Sequence, residues 1–320
     1  MKYICLFLLL TINLLANENT LQPKTYSPWY TGPLLAASAY TLPPGSVYTQ
    51  PYLYLTNTYG SYTDSFKSRS QPSVYSVTPD ISFQTGLTNF FDIAVEGSSI
   101  YNNRKGKTAY HLEDITVKLG MQLLREKKET FYPTIKFRIQ EYFPTGKYKN
   151  LNPEKFGIDA TGTGSYRTIF LLAMSKIFYF WPMHPNKWTF NLAYQLPTKV
   201  KVKDFNAYGG GYGSNGTVAP GQTISADIAV EYSCTQSLVF VMEAAYLYTT
   251  PTKYSGTIGY ALDGSLASNS SNSSMQCSLA PAIEYNFTQN VGFIGGVWFS
   301  IFGKNSSQFV SAVISLCYTF

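Results

Sequence analysis

The sequence predicts an all-β fold: a transmembrane, antiparallel, up-and-down β-barrel of about twelve strands, with short turns at one end and long loops at the other. Three observations predict it. Apolar and polar residues alternate one for one in many segments, the connections between these segments alternate between long and short, and the chain ends on such a segment, "SAVISLCYTF". A tilted strand needs about 9 to 11 residues to cross a bilayer, and most of these segments are at least that long.

The composition agrees with a wall that faces lipid on one side. Only 13% of the residues are charged, 16% are aromatic, and the mean hydropathy is −0.08. A soluble globule would have about twice this share of charged residues. The net charge of +6 comes from scattered basic residues, so no nucleic-acid partner is predicted.

The chain begins with "MKYICLFLLLTINLLANENT", which has Lys2, an apolar run and a small residue before a polar stretch. This pattern predicts a Sec-type signal peptide over residues 1–16, cleaved after Ala16. The apolar run is too short for a membrane anchor, which needs about 20 residues. Without this peptide, which carries Lys2 and no acid, the net charge is 23 − 18 = +5.

Residues 17–45 show no alternation and contain several prolines and small residues. We expect this segment either to lie in the periplasm or to fold into the barrel as a plug. Pro43-Pro44-Gly45 predicts a turn at its end. The barrel then takes residues 46–320.

The predicted strands follow from the alternation, since successive side chains of a strand point to opposite faces. The clearest example is "FYPTIKFRIQEYF". The twelve segments are 46–59, 74–86, 91–101, 112–124, 131–143, 165–178, 188–202, 222–232, 238–248, 275–285, 291–302 and 308–320.

The connections between these segments sort by length. The long ones are 60–73, 102–111, 144–164, 203–221 and 249–274. The short ones are 87–90, 125–130, 179–187, 233–237 and 286–290, and 303–307 is also brief. Long loops outside and short turns in the periplasm are typical of outer-membrane barrels. The loops 203–221 and 249–274 are rich in Gly, Ser and Asn, and we interpret them as mobile.

The last segment explains why the chain ends on an aromatic residue. In lipid every backbone polar group must be paired, so the last strand must bond to the first. Phe320 is then expected at the membrane interface. A terminal Phe resembles the assembly signal of bacterial outer-membrane proteins, which implies the barrel-assembly machinery as a partner.

The alternation also predicts which side chains face the lumen. The candidates for lining it are Asp92, Glu96, Asp114, Lys118, Lys136, Arg138, Gln140, Tyr48, Tyr52, Tyr132 and Tyr142. The same alternation turns inward Asp80, Gln84, Thr116, Gln122, Asn191, Gln195, Asp227, Glu231, Glu243 and Tyr54. The charges either brace the wall as ion pairs or bias a permeation path, and both can hold. The tyrosines either stack on an apolar or aromatic solute or fill the bore, which twelve strands leave open or closed.

Residues for catalysis or metal binding are scarce. His111 lies beside Glu113 and Asp114 at the predicted external end of a strand, and His184 lies in a predicted turn. No serine or aspartate motif accompanies His111, so no catalytic residue is assigned. Beyond the signal peptide, three distant cysteines (Cys234, Cys277 and Cys317) predict neither a disulfide framework nor a zinc site. No cofactor is predicted.

Four short motifs carry a family resemblance. They are Thr41 to Gly45 ("TLPPG"), Gly86 to Asp92 ("GLTNFFD"), Pro144-Thr145-Gly146 and Gly162-Thr163-Gly164. Over most of residues 33–320 the chain resembles the outer-membrane proteins assigned to the MetA pathway of phenol degradation, often called transporters. More distantly it resembles the uptake barrels for fatty acids and hydrocarbons. The motifs are turns and strand ends, and the link to aromatic catabolism comes from the family's label alone.

The first functional hypothesis is a channel in the cell outer membrane of a Gram-negative bacterium, passing small, hydrophobic or aromatic solutes passively. Its expected partners are outer-membrane lipid and a small hydrophobic solute. Two alternatives remain: a non-conducting structural or adhesive barrel acting through loops 144–164 and 249–274, and a hydrolase that uses His111.

Overall fold

The computed structural model describes residues 28–127, 131–181 and 183–320. The predicted signal peptide and the first part of segment 17–45 lie outside these residues. Within them, twelve long antiparallel strands form a barrel that closes on itself, because β1 pairs with β16 as well as with β2. The predicted fold class is confirmed.

The strands have the following bounds: β1 Val47–Tyr62, β2 Ser68–Gly86, β3 Phe91–Arg104, β4 Lys107–Leu112, β5 Ile115–Leu124, β6 Thr134–Phe143, β7 Arg167–Phe178, β8 Asn186–Pro197, β9 Val200–Lys203, β10 Asn215–Ala219, β11 Thr223–Ser233, β12 Leu238–Thr249, β13 Lys253–Thr257, β14 Ser274–Asn286, β15 Val291–Lys304 and β16 Ser307–Thr319. A short 3-10 helix spans Pro153–Lys155. Strand β4 extends the hairpin of β3, while β9, β10 and β13 form a separate three-stranded sheet. Among the described residues, no helix has the length and apolar character needed to cross a bilayer.

Two predicted strands differ from the observed ones. Segment 188–202 was expected as one strand, but β8 ends at Pro197, which has no N–H to continue the ladder. Residues 200–203 instead form β9 in the separate sheet. Segment 112–124 is interrupted at Glu113 and Asp114, so the expected strand is divided between the end of β4 and the whole of β5.

Two of the connections expected to be long are short, because the strands continue beyond the predicted ends. The β1–β2 hairpin turns through residues 63–67. The β3–β4 hairpin turns at Lys105 and Gly106, both with positive φ (51° and 78°). Two successive residues of positive φ are the type I′ turn that matches the twist of a hairpin.

The barrel has two distinct ends. At one, which we call the turn end, adjacent strands are joined by residues 87–90, 125–133, 179–185, 234–237 and 287–290, and the chain enters β1 and leaves β16. At the other, the loop end, lie segment 144–166 and the sheet of β9, β10 and β13. Within that sheet, Val200, Val202 and Val218 are buried and pack against Tyr254 of β13 and against Tyr148 and Tyr208 of the loops. Loops 203–221 and 249–274 therefore contain paired strands.

The outside of the barrel is apolar. Exposed aliphatic side chains occur on strand after strand, among them Leu55, Ile81, Val95, Leu119, Ile139, Leu192, Ile228, Met242, Ile283, Val297 and Ile314. Exposed aromatic residues gather towards both ends, among them Phe90, Trp181, Trp188, Phe287 and Phe320 at the turn end, and Tyr101, Tyr110, Tyr166 and Tyr194 at the loop end. An apolar band between two aromatic girdles is the exterior of a membrane-spanning barrel.

The last strand closes the wall down to its final residue. Phe320 donates its N–H to the Val47 carbonyl and accepts the Val47 N–H in return, both at 2.9 Å. Within β16, Ser311, Val313 and Ser315 are buried inside, whereas Ile314 and Leu316 are exposed. The terminal alternation therefore reflects a strand that has no free edge.

Candidate functional site: the lumen

The N-terminal segment (residues 28–42) lies inside the barrel at the turn end, held by wall side chains. Its backbone does not pair with a strand, so its N–H groups need other acceptors. The Glu243 carboxylate on β12 accepts hydrogen bonds from the backbone N–H groups of Leu34, Leu35 (3.1 Å) and Ala36 (3.0 Å). One buried carboxylate thus satisfies three consecutive amides.

Other wall residues hold the rest of the N-terminal segment. On β14, Glu284 accepts the Thr31 N–H, and the Asn286 amide donates to the Trp29 carbonyl at 3.1 Å. On β5, Gln122 accepts the Thr41 N–H at 2.9 Å. Gln122 also donates to the Ala39 carbonyl at 3.0 Å, and Lys136 Nζ on β6 donates to the Tyr40 carbonyl at 3.2 Å.

The turn that leads from this segment into β1 depends on Gly86. The Ser46 N–H bonds to the Pro43 carbonyl at 3.1 Å, and Gly45 has φ +79°. Pro at the second position and a residue of positive φ at the third are typical of a type II turn, as the Pro-Pro-Gly motif predicts. A Cβ on Gly86 would lie 2.1 Å from the Pro43 carbonyl oxygen. The first two resemblance motifs therefore pack against each other.

Apolar packing fixes the segment against one part of the wall. Leu34 is 1% exposed and packs in a cluster with Val239, Val241, Ala280, Ala282, Ile294 and Val313. Small residues let the segment approach closely: a Cβ on Gly292 would lie 1.9 Å from Thr31 Oγ1. The N-terminal segment therefore occupies most of the space inside the wall formed by β12, β14, β15 and β16.

Next to the N-terminal segment is a cavity of about 880 Å³, the main cavity. Its strand residues come chiefly from β1, β2, β3, β5 and β6, namely Tyr48, Gln50, Tyr52, Tyr54, Asp80, Ser82, Gln84, Ala94, Glu96, Lys118, Arg138, Gln140 and Tyr142. Residues 28–38 and 40–42 also line it. The main cavity is thus a space with an aromatic wall on β1 and charged walls on β2 to β6.

A second cavity of about 480 Å³, the loop-end cavity, lies towards the loops. It shares Asp80, Glu96 and Tyr142 with the main cavity, and residues 160–163 of segment 144–166 line it too. The two cavities are therefore adjacent in the bore.

Asp114, in the break between β4 and β5, anchors this segment. Its carboxylate accepts the Gly146 N–H at 3.0 Å and the Thr163 N–H at 3.3 Å, and pairs with Arg167 at 3.0 Å. A Cβ on Gly162 would lie 2.6 Å from Asp114 Oδ1. The last two resemblance motifs therefore meet around one carboxylate.

Segment 144–166 has further contacts that hold it across the loop end. Asn102 donates to the Ile158 carbonyl at 2.9 Å, and the Tyr208 hydroxyl donates to the Thr163 carbonyl at 2.8 Å. Burial raises the pKa of Tyr208 to about 12. Asp159 accepts the Asn152 N–H and Lys147 Nζ, each at 2.9 Å.

Ion pairs neutralise much of the interior charge. Lys136 and Asp92 form a buried pair at 2.5 Å, for which Gly120 leaves room, because a Cβ there would lie 2.3 Å from both side chains. Lys118 pairs with Glu96, and Lys187 pairs with Glu231 at 3.0 Å. Among the described residues, Asp80, Asp227 and Arg138 line the main cavity and form no ion pair.

The structure brings most of the predicted lumen residues together. Those that line the main cavity are Tyr48, Tyr52, Glu96, Lys118, Arg138, Gln140 and Tyr142. Asp114 lines the loop-end cavity, and Asp92 and Lys136 are buried inside the wall. Tyr132 differs: it lies in the turn before β6 and is 63% exposed, so it does not line the cavity.

Two important contacts of the N-terminal segment were missed at the sequence level, those of Glu284 and Asn286. The signal was present, since both residues continue the alternation of Ala280 and Ala282 along β14. The alternation shows that both side chains point inwards, but it does not show that they bind the N-terminal segment, which lies more than 250 residues away along the chain.

The histidines and cysteines lie apart from the cavities. Among the described residues, no side chain hydrogen-bonds to His111, while His184 Nδ1 donates a hydrogen bond to the Ser233 carbonyl at 3.0 Å and its ring stacks on Tyr232. Cys234, Cys277 and Cys317 are free thiols. In the part of the chain that the structure describes, no group of three His, Cys, Asp or Glu residues could hold a metal ion.

Comparison with solved structures supports the fold. The chain is similar to the COG4313 outer membrane channel from Pseudomonas putida F1, with a TM-score of 0.65 and 11% identity, over 89% of this chain and 99% of that one. The NanC porin (TM-score 0.41, 13% identity, 83% and 98% covered) and the TodX deltaS2S3 mutant monoaromatic hydrocarbon channel (0.38, 10%, 87% and 91%) are more distant.

No family model matches the chain, and no curated protein matches it. At 11% identity the first of these structures shows the barrel fold alone. The resemblance to the MetA-pathway proteins stays a prediction.

Proposed function

We propose that this protein is an outer-membrane channel that lets small solutes pass passively. The observation that carries the proposal is the pair of adjacent cavities, about 880 and 480 Å³, inside a closed barrel with an apolar exterior. Porin-like pathways are polar inside and apolar outside. The similar fold of a COG4313 outer membrane channel supports the same reading.

The orientation follows from the loops. With the usual arrangement of outer-membrane barrels, the turn end faces the periplasm and the loop end faces outwards. Phe320 would then lie at the periplasmic interface, where the barrel-assembly machinery could engage the last strand. Removing the ring, by Phe320→Ala, should lower the yield of protein assembled in the membrane, as measured by heat-dependent gel mobility.

The N-terminal segment lies inside the barrel at the turn end, and we propose that it acts as a plug and moves when the channel conducts. It is tied to the wall by hydrogen bonds to Glu243, Glu284 and Gln122. Hydrogen bonds of this kind contribute about 0.5–3 kcal/mol each, so loosening a few of them is within the reach of thermal fluctuation. Passage would then be intermittent.

The solute class is suggested by the wall on β1. Tyr48, Tyr52 and Tyr54 face the main cavity, and the rings of Tyr52 and Tyr54 stack with centroids 5.6 Å apart. Aromatic faces of this kind bind flat apolar rings by offset stacking. Small aromatic solutes are therefore the class we propose.

Conductance in planar lipid bilayers tests the proposal. Purified wild-type protein should give discrete current steps, and a variant with Glu243→Ala should be open for a larger fraction of time. Swelling of liposomes in phenyl glucoside, a neutral aromatic solute, should exceed swelling in a disaccharide. Absence of current in both proteins would contradict the channel, and equal swelling rates would contradict the solute class.

A further inference from the structure

Three residues line both cavities: Asp80, Glu96 and Tyr142. They mark the passage between the loop-end cavity and the main cavity. An ion that moves from one cavity to the other must come close to them. Their charge therefore affects permeating ions more than charges elsewhere on the wall do.

Of the two carboxylates in this passage, Glu96 is neutralised and Asp80 is free. Glu96 is bound by Lys118. Asp80 lies opposite Tyr52 on β1 and opposite Ser98 on β3. Among the described residues, no Lys or Arg forms an ion pair with Asp80, so its charge acts on the cavity.

The other unpaired charges near the path leave a negative excess. Asp227 lines the main cavity, and Glu113 lines the loop-end cavity with a single hydrogen bond, from Ser98 Oγ at 2.8 Å. Arg138 is the opposing cation in the main cavity. Among the described lining residues, three unpaired carboxylates therefore face one unpaired guanidinium, although the whole chain carries +6.

We propose that Asp80 makes the channel selective for cations, including small organic ammonium ions; this rests on the proposed channel function. Tyr52 and Tyr54 stand beside Asp80 on the neighbouring strand, where ring faces can bind an ammonium group by cation–π contact. The third passage residue already carries such a contact, since the Arg167 guanidinium lies 4.2 Å from the Tyr142 ring centroid. A carboxylate beside tyrosine rings suits a charged amine.

The test is the reversal potential in a KCl gradient across a planar bilayer. The wild-type channel should favour K⁺ over Cl⁻. Asp80→Asn should lower the permeability ratio by about sixteenfold, because one unit charge about 5 Å away in water changes the permeability of each ion by about fourfold, in opposite directions for K⁺ and Cl⁻. Asp80→Glu, which keeps the charge, should retain the ratio, and Arg138→Gln should raise it.

A matched control removes a carboxylate outside the passage. Asp64 pairs with Lys304 at 3.2 Å at the loop end, so Asp64→Asn should leave the ratio unchanged. Replacing K⁺ by tetramethylammonium should still give a cation current, reduced further by Tyr52→Leu than by Tyr59→Leu on the outer face. Heat-dependent gel mobility checks that each variant is folded, and Asp80→Ser is a second neutral variant.

The outcomes separate the two proposals. No current in any protein contradicts the channel function itself. Current with a K⁺ to Cl⁻ ratio at or below one overturns cation selectivity, and an unchanged ratio in both Asp80→Asn and Asp80→Ser overturns the role of Asp80. Exclusion of tetramethylammonium while K⁺ still passes overturns the ammonium class.

Discussion

The two halves of the barrel interior are built differently. On β12, β14, β15 and β16 the inward residues are mostly small or apolar, and they pack directly on the N-terminal segment around Leu34. On β1 to β6 they are tyrosines and charged residues that surround the main cavity. We call these the sealed half and the open half. Both are made from the same alternation of residues along the strands, so side-chain size and charge decide which half packs on the N-terminal segment and which half surrounds the main cavity.

The difference shows what keeps a twelve-stranded barrel partly hollow. In the sealed half, Gly292, Ala280 and Ala282 let backbone approach backbone, which removes the space. In the open half, long charged side chains are tied to one another along the wall, as in Lys136–Asp92. Burying such charges without partners is costly, so they pair with each other and with solvent rather than collapse into the bore.

The largest expected effect is in the sealed half, at the carboxylate that holds three amides. Glu243→Ala leaves the N–H groups of Leu34, Leu35 and Ala36 without an acceptor, and each unsatisfied buried group costs about 1–3 kcal/mol. Amide hydrogen exchange in residues 28–42, followed by mass spectrometry, should accelerate by at least about a hundredfold.

The matched control for this prediction is Asp227→Ala. It removes a carboxylate from the adjacent strand β11 that binds no backbone group of the N-terminal segment among the described residues. Exchange in residues 28–42 should stay close to that of the wild type. Equal acceleration by both substitutions would mean that loss of interior charge, rather than loss of the acceptor, releases the segment.

The next largest effect is in the open half. Lys136→Ala leaves the buried Asp92 carboxylate, which is 2% exposed, without its cation. It also removes the donor to the Tyr40 carbonyl. Breaking a buried pair from one side costs about 3–5 kcal/mol. The midpoint of urea unfolding in lipid vesicles should fall. Lys136→Met combined with Asp92→Asn should recover much of the loss, and failure to do so would show that the pair is not the cause.

The two halves also show which strands and which inward side chains could be predicted from the sequence. The alternation predicted all twelve wall strands, because lipid on one side and lumen on the other impose a period of two. It also turned Glu96, Lys118 and Arg138 to the lumen. It failed at Tyr132, which has an even number like the inward residues of β6 but precedes the start of that strand. The alternation gives the direction of a side chain only within a strand, and the point where a strand ends depends on backbone pairing with its neighbours.

The position of residues 28–42 could not be predicted for a different reason. The segment has no periodic pattern, and its partners Glu243, Glu284 and Gln122 are spread over three distant strands. Inward carboxylates look the same in a sequence whether they face water, a lysine or a backbone. Likewise, the external sheet forms from short strands in Gly-rich and Ser-rich loops, whose local composition is typical of irregular structure.

A smaller effect compares an inward glycine of the sealed half with an outward glycine of β3. Gly292→Ala, in the sealed half, places a methyl group 1.9 Å from Thr31 Oγ1, so the N-terminal segment must shift. Such overpacking costs about 1–3 kcal/mol. Hydrogen exchange near residue 31 should rise. Gly97→Ala, on the outward face of β3, meets no atom within 4 Å and should change nothing. An equal response would mean that the contact with Thr31 is not the cause.

The smallest effect concerns segment 144–166, which lies at the loop end and lines the loop-end cavity. Burial alone would raise the pKa of Asp159, but hydrogen bonds from the Asn152 N–H and Lys147 Nζ hold it below its ordinary value. A carboxyl with a lowered folded pKa stabilises the fold above its unfolded pKa, about 3.9, and loses that contribution as the pH falls through the folded value. Exchange of the amides in 147–159, corrected for intrinsic rates, should therefore rise below about pH 4. Asp159→Asn should have the raised exchange already at pH 7 and lose the pH dependence. If the variant kept the wild-type dependence, protonation of Asp159 would not be the cause of the faster exchange.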